Sequence, residues 1–168
     1  MKKIEKKRSK QESLVTEIEI LRRFGHHRHI VELFDVFETD DEIQLVMELM
    51  RGGELFDALV ENGPYSEGDA SKHLRDVGSA LHFLHSENIV HRDLKPENLL
   101  LTSKGKDGKV KLGDFGLSKI VQENELMRTA CGTWAYCAPE VLRIRRDRVG
   151  TYDSKCDVFS IGVILFVM

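Results

Sequence analysis

Apolar residues recur along this chain with two different periods, and the switches between them mark out its elements. From Gln11 to Phe24, Leu14, Val15, Ile18, Ile20 and Leu21 fall mostly on one helical face, while Glu12, Glu17, Glu19, Arg22 and Arg23 take the rest. That pattern predicts an amphipathic helix closed by Gly25. Two β-prone runs follow, Ile30 to Glu38 and Ile43 to Leu49, parted by the turn-like Thr39-Asp40-Asp41, and they predict an antiparallel hairpin. Met50-Arg51-Gly52-Gly53 breaks the pattern, and a short helix is expected from Glu54 to Val60, stopped by Asn62-Gly63-Pro64. Ser66 with Asp69 three residues on is an N-cap signature. It opens a long core helix in which Ala70, Leu74, Val77, Leu81 and Leu84 recur at steps of four and three to about Ser86.

Ile89-Val90 then leads into a polar run. Beyond it, Leu99 to Thr102 and Val110 to Leu112 flank Lys104 to Lys109, whose Asp107-Gly108 pair supplies hairpin turn chemistry. The weakly patterned stretch from Gln122 to Thr133 reads as a mobile loop, and a last apolar helix starts from about Asp157. Its apolar run, Val158 to Met168, is too short to span a bilayer and reads as a buried helix. The chain has no internal repeat and no low-complexity segment.

Composition narrows the class. A chain of 168 residues, 41% hydrophobic and 32% charged, is one soluble globular domain or part of one. A net charge of −3 gives no overall attraction to nucleic acid or to an anionic membrane, so neither is expected as a partner. The basic cluster from Lys2 to Lys10 is interrupted by Glu5 and followed by Glu12, which favours a solvated connection. Cys131, Cys137 and Cys156 are odd in number and lack metal-ligand spacing, which points to a reducing compartment, the cytoplasm or else the nucleus. The Lys-rich start lacks a signal-peptide core, and no cysteine or carboxylate cluster completes a metal site around His26, His27 and His29.

Three short runs carry the chemistry: His91-Arg92-Asp93-Leu94-Lys95-Pro96-Glu97-Asn98, then Asp114-Phe115-Gly116, then Ala138-Pro139-Glu140. In this order and at these separations they resemble the protein-kinase signature, and the resemblance covers essentially Lys2 to Met168. Gly52-Gly53-Glu54-Leu55-Phe56, Lys95-Pro96-Glu97-Asn98 and Thr129-Ala130-Cys131-Gly132-Thr133 are similar to the calcium/calmodulin-dependent group of serine/threonine kinases. The resemblance implies an α+β, two-lobed fold, with residues 1–49 in the small lobe and 50–168 in the large one. It also implies ATP and Mg2+ as cofactors, and protein substrates. A generic ATP-binding enzyme on another fold would need a Gly-x-x-x-x-Gly-Lys run, which is absent. The rival from another class is a catalytically silent kinase-like binding module.

The same resemblance assigns roles, each with a chemical reason. An attacking hydroxyl must lose its proton, and Asp93 stands where the family has the acceptor; Lys95 supplies positive charge for the transferring phosphate. Asn98 and Asp114 offer oxygens to magnesium. Lys2 stands at the end of the family's third strand with Glu17 as its helical ion-pair partner, Lys3 or a plain surface charge being the alternatives. Leu21, Leu33, His91, Phe115 and Asp157 match the stack between lobes and its base. Glu48-Leu49-Met50 would present backbone to adenine, with Met47 guarding the pocket behind and Leu100 packing beneath the ring. Glu54 and Glu97 match positions that hold a basic residue ahead of the target hydroxyl, so an Arg-directed substrate is expected. Arg92 is similar to the arginine that grips a phosphorylated activation loop, with Thr129 the candidate phosphoacceptor for an upstream activating kinase. Thr133 is assigned to orienting Asp93 and Lys95; Ser118 is too close to the metal loop to be a favoured site; Cys131 is either a redox-sensitive thiol or a small packing residue.

The chain also departs from the family pattern. The Gly-rich loop and the first two strands have no counterpart in these residues, and the last helix stops short of its partners. A fragment or incomplete gene model with little turnover, exposed apolar surface and an uncompensated Glu140 is therefore expected. Trp134-Ala135 stands where related kinases usually have Pro-Gly, and Arg28-His29 where Pro-Asn is common; the first departure bears on the residue accepted after the phosphorylation site.

Overall fold

A computed structural model describes residues 1–6, 11–105, 108–122 and 125–168, the side chain of Asn62 excepted. Its first part is β1 (Lys2–Glu5), α1 (Gln11–Phe24), β2 (Leu33–Glu38) and β3 (Glu42–Met47), the strands forming an antiparallel sheet in the order β1-β3-β2. The hairpin turn closes through Thr39, whose N–H donates to Glu42 O at 2.9 Å. Register sets Lys2 and Val36 on either side of Leu45, itself fully buried, so the lysine projects on the face that α1 covers.

Two details of the sequence reading change here. Along α1 the buried positions are Leu14, Glu17, Ile20, Leu21 and Phe24, whereas Val15 is 59% exposed. A charged residue takes a core-face position, and an apolar one is left outside. The hairpin is also shorter than the apolar run: Ile30 pairs in parallel with Leu112, and Val31 N donates to Leu112 O at 2.9 Å. Ile30 and Val31 therefore tie the first part to the second instead of extending β2.

The second part contains β4 (Gly53–Glu54), α2 (Leu55–Asn62), α3 (Glu67–Ser86), β5 (Ile89–Val90), β6 (Leu99–Leu101), β7 (Val110–Leu112), β8 (Lys119–Ile120), α4 (Pro139–Asp147) and α5 (Lys155–Val167). Its sheets are β4-β6-β7 and β5-β8. Glu54 lies in β4, ahead of the helix assigned to it. Gly63 ends α2 at φ +84°, and Ser66 Oγ accepts Asp69 N at 3.2 Å to cap α3, as its sequence predicts. The turn between β6 and β7 includes Asp107, which lies outside the described residues.

One core joins both parts: Ile20, Leu21, Phe24 and Ile30 pack with Val77, Leu81, Leu84, Leu94, Leu112 and Phe115. A smaller cluster gathers Val90, Met127, Val141, Ile144 and Tyr152. Met127 is thus a buried anchor, bridged to Tyr152, inside the stretch that reads as a mobile loop. The histidines near the first hairpin are packing residues: His27 stacks on Phe83 at 4.7 Å, and His29 Nδ1 lies 3.0 Å from Val110 O. Glu140 is half-buried. On α5, which begins two residues before Asp157, Ile164 is buried while Val158 and Phe166 are 59% and 91% exposed, a broad apolar face. Among the described residues no helix is long and apolar enough to cross a membrane.

Candidate active site

The run from His91 to Asn98 is held by its backbone. Fully buried Asp157, at the start of α5, accepts His91 N–H at 2.9 Å through Oδ2 and Arg92 N–H at 2.8 Å through Oδ1, while His85 Nε2 lies 2.8 Å from Oδ2. These bonds stabilise Arg92 at φ +68°, a region that non-glycine residues seldom occupy. The His91 ring packs on Phe115 at 5.2 Å. A 3-10 turn, Pro96–Asn98, folds the chain back so that Asn98 Nδ2 donates to Asp93 O at 2.8 Å.

This frame presents the Asp93 carboxylate, itself only 8% exposed, between two donors. Thr133 Oγ1 donates to Oδ1 at 2.8 Å, and Lys95 Nζ lies 3.1 Å from Oδ2. Burial opposes the Lys95 charge, but Asp93, Glu97 and Asp114 outweigh it and raise the ammonium pKa above its ordinary value, so it is cationic at neutral pH. A carboxylate so fixed can accept a proton, and the ammonium beside it can stabilise developing negative charge.

A cleft of about 370 Å³ opens between the two parts and brings together Lys2, Glu17, Met47, Glu54, Lys95, Glu97, Asn98, Leu100 and Asp114. Lys2 Nζ is 2.7 Å from Glu17 Oε1 and 3.6 Å from Asp114 Oδ1. The two partners respond differently. Burial pushes the Glu17 carboxyl above its ordinary range against the pull of Lys2, whereas on half-exposed Lys2 burial is outweighed by Glu17 and Asp114, which raise its pKa. The difference follows from exposure, since Glu17 gives up more solvation than Lys2 does. Asn98 spends its amide N–H on Asp93 O, which leaves its carbonyl oxygen to accept a hard cation, and the Asp114 carboxylate lines the same cleft. Among the described residues no group of three or more His, Cys, Asp or Glu side chains could hold a metal alone. Two oxygen ligands suit a magnesium ion that keeps water and phosphate oxygens.

Sequence reasoning missed Val31 and Gly113, which line the same cleft. A Cβ on Gly113 would stand 3.3 Å from Leu100 Cδ1 and 3.6 Å from Val31 Cγ2, so a side chain there would press on Leu100 by a few tenths of an ångström. The hinge assignments divide. Met47 lines the cleft, but Glu48 and Met50 lie outside that lining: the Glu48 side chain pairs with Lys111 at 2.6 Å, and Met50 O accepts Gly53 N at 3.2 Å. Glu54 and exposed Glu97 face the same mouth; partial burial, then Asp57 and Glu97, raise the Glu54 pKa.

Arg92 and Thr129 are not in contact. Arg92 Nε donates to Leu117 O at 2.6 Å, its Nη1 is 3.5 Å from Tyr152 OH, and that hydroxyl donates to Thr129 O at 2.7 Å. The Thr129 side chain itself is exposed. Tyr152 is therefore the physical link between them; nothing in its local sequence marks it. Ser118 is buried, its hydroxyl 3.3 Å from His91 O, and Lys119 pairs with Glu125. Cys131 Sγ lies 3.8 Å from Tyr152 OH, and burial raises the thiol pKa values of Cys137 and Cys156.

Similarity to known proteins agrees with this arrangement. The chain is 46% identical to human calcium/calmodulin-dependent protein kinase type IV over 166 residues, which is 99% of this chain and 34% of that protein. It is 48% identical to myosin light chain kinase A of Dictyostelium discoideum over 158 residues, 94% of this chain and 52% of that one. With calcium/calmodulin-dependent protein kinase type 1 of Caenorhabditis elegans the figure is 47% over 170 residues, all of this chain and 47% of the relative. The chain thus spans between a third and about half the length of these relatives. The family described as protein kinase domain matches residues 1–168 from end to end, and to that family this chain belongs.

Proposed function

We propose that this protein transfers the γ-phosphate of ATP to serine or threonine hydroxyls of protein substrates that carry a basic residue ahead of the acceptor. The observation that carries the reading is the Asp93 carboxylate, held between Thr133 Oγ1 at 2.8 Å and Lys95 Nζ at 3.1 Å where the cleft opens. A substrate hydroxyl brought to this carboxylate gives up its proton to Asp93 as it attacks, and Lys95 stabilises the negative charge on the phosphoryl oxygens. The donor set fits the nucleotide and its metal: Lys2, kept in place by Glu17, would meet phosphate oxygens, Asn98 and Asp114 would hold magnesium, and Met47 and Leu100 would flank the base. Magnesium supplies charge neutralisation for the phosphates when bound. The hinge backbone of Glu48 and Met50 is assigned to the adenine edge.

Glu54 and Glu97 supply the preference for a basic residue, and Thr129 is the site on which an upstream kinase would act, with Arg92 as the cation that receives the phosphate. Free thiols fit action in the cytoplasm or nucleus. Retention of Asp93, Lys95, Asn98 and Asp114 together speaks against a silent binding module. Phosphate transfer from labelled ATP to an Arg-containing serine peptide, measured with the full-length protein, tests the reading. Asp93→Asn is expected to lower kcat by about 10²–10⁴-fold with the peptide KM little changed. Unaltered kcat in that variant would show that Asp93 is not the base.

A further inference from the structure

Tyr152 lies outside the three signature runs, in the segment between α4 and α5, yet it is buried and bonded through both its backbone and its side chain. Its N–H and carbonyl exchange hydrogen bonds with Met127, at 2.9 Å and 2.8 Å. Its ring belongs to the smaller core, with Val90, Val141 and Ile144. A ring that only filled this space would need no hydroxyl, since phenylalanine supplies the same apolar body and a buried hydroxyl costs free energy unless it is bonded. The hydroxyl here has three neighbours: it donates to Thr129 O at 2.7 Å, Arg92 Nη1 is 3.5 Å away, and Cys131 Sγ lies at 3.8 Å. Burial pushes the phenol pKa up against the pull of Arg92, so the group stays a neutral donor at physiological pH.

Both routes away from this hydroxyl end at Asp93. Arg92 is the residue before it, held at φ +68° and bonded through Nε to Leu117 O at 2.6 Å. Thr129 leads to Thr133, whose Oγ1 donates to Asp93 Oδ1 at 2.8 Å. Between them Gly132, at φ +95°, passes so close to the His91–Asn98 loop that a Cβ there would stand 2.5 Å from Arg92 O. The chain from Thr129 to Thr133 is thus laid across Arg92, and Tyr152 fastens its first residue. We propose that Tyr152 is a positioning residue: its hydroxyl, by tying the Thr129 carbonyl to the Arg92 side chain, fixes the Thr133 donor on the Asp93 carboxylate without touching substrate. The inference rests on the phosphate transfer proposed above and adds a residue on which its rate depends. A donor already in place needs no reorganisation when the proton moves, so loosening it slows the step and leaves peptide binding alone.

The test is Tyr152→Phe in the full-length protein, alone and combined with Thr133→Val. The ring and both backbone bonds to Met127 are kept. Phosphate transfer to the Arg-containing serine peptide is expected to lose about tenfold in kcat, with the peptide KM within about twofold of wild type. In the Thr133→Val background the same substitution should change kcat by less than about twofold, because the donor through which it acts is gone. A full tenfold loss in that background, or an unchanged kcat in Tyr152→Phe, would overturn the proposal. Trypsin cleavage after exposed Arg128 reads the segment without any turnover. It should be about tenfold faster in Tyr152→Phe, with cleavage elsewhere at the wild-type rate. Equal cleavage after Arg128 means that the hydroxyl does not hold the segment, and faster cleavage at every site means that it holds the whole fold; either result removes the positioning role. Wild-type protein that transfers no phosphate sinks the kinase reading instead, and the cleavage contrast then decides the positioning role alone.

Discussion

Two ion pairs, each with its lysine in the lining of one cleft, are built in opposite ways. Asp93 and Lys95 are two residues apart in a single loop, their ions 3.1 Å from each other, with the aspartate side chain only 9% exposed. Lys2 and Glu17 meet at 2.7 Å from separate elements, β1 and α1, and the lysine side chain is 37% exposed. The first pair is fixed by the fold of one short segment, itself bonded to buried Asp157. The second exists only while α1 keeps its place against the sheet. The Asp93 side of the cleft is thus built in, and the Lys2 side is conditional on docking, which makes it the side a regulator could control.

Removing the clamp beneath the first pair should have the largest effect. Asp157→Ala leaves two backbone N–H groups of the His91–Asn98 loop, those of His91 and Arg92, without their acceptor and Arg92 without support for its positive φ. The expected loss is about 3–5 kcal/mol, read as a lower urea midpoint. A midpoint shifted by less than the error of the fit would mean that the loop holds its shape without Asp157.

Breaking the second pair should cost less and should depend on pH. Lys2→Met leaves Glu17 with no cation in its buried site. Because the lysine is partly exposed the loss is only about 1–2 kcal/mol at pH 7. Burial already holds the Glu17 carboxyl above its ordinary value of 4.5, so the folded state keeps a proton that the unfolded chain releases. Its contribution to stability is therefore lost as pH rises from 4.5 through the folded value, and without Lys2 that window extends upward. The variant should lie closer to wild type in melting temperature at pH 5 than at pH 7. An equal difference at both would show that Lys2 does not compensate Glu17.

The same division explains what was legible in the sequence. His91 to Asn98 could be read because its chemistry is local: each residue acts within a few positions of the next. The sequence predicts α1 with its bounds, Gln11 to Phe24, because its apolar stripe repeats. Its rotation was not fully read, since Val15 is outside and Glu17 inside, a choice made by Lys2 from another element. Tyr152, which joins Arg92 to the carbonyl of Thr129, left no local signal because its role is a contact across more than twenty residues. The apolar character of Ile30 predicts strand, yet its partner is Leu112, not the hairpin, and no period reveals which sheet claims a residue.

The acidic mouth tests how far the built-in side extends. Glu54 stands on that side, yet no cation among the described residues comes within ion-pair distance of it, and partial burial, Asp57 and Glu97 raise its carboxyl above its ordinary 4.5. A basic substrate residue would supply the missing charge and favour the ionised form. The KM for an Arg-containing peptide should then fall as pH rises from 4.5 through the raised value, as the carboxylate forms, while a peptide lacking the arginine shows no such change. Glu54→Gln should flatten that profile and weaken the peptide by about two- to fivefold, the scale of a rim charge. If the variant keeps the wild-type slope, Glu97 carries the recognition and Glu54 is surface. If the slope goes, the Asp93 side ends in a charge that the substrate completes, and the contrast between the two pairs narrows to one between a site finished by its own loop and a site finished by docking.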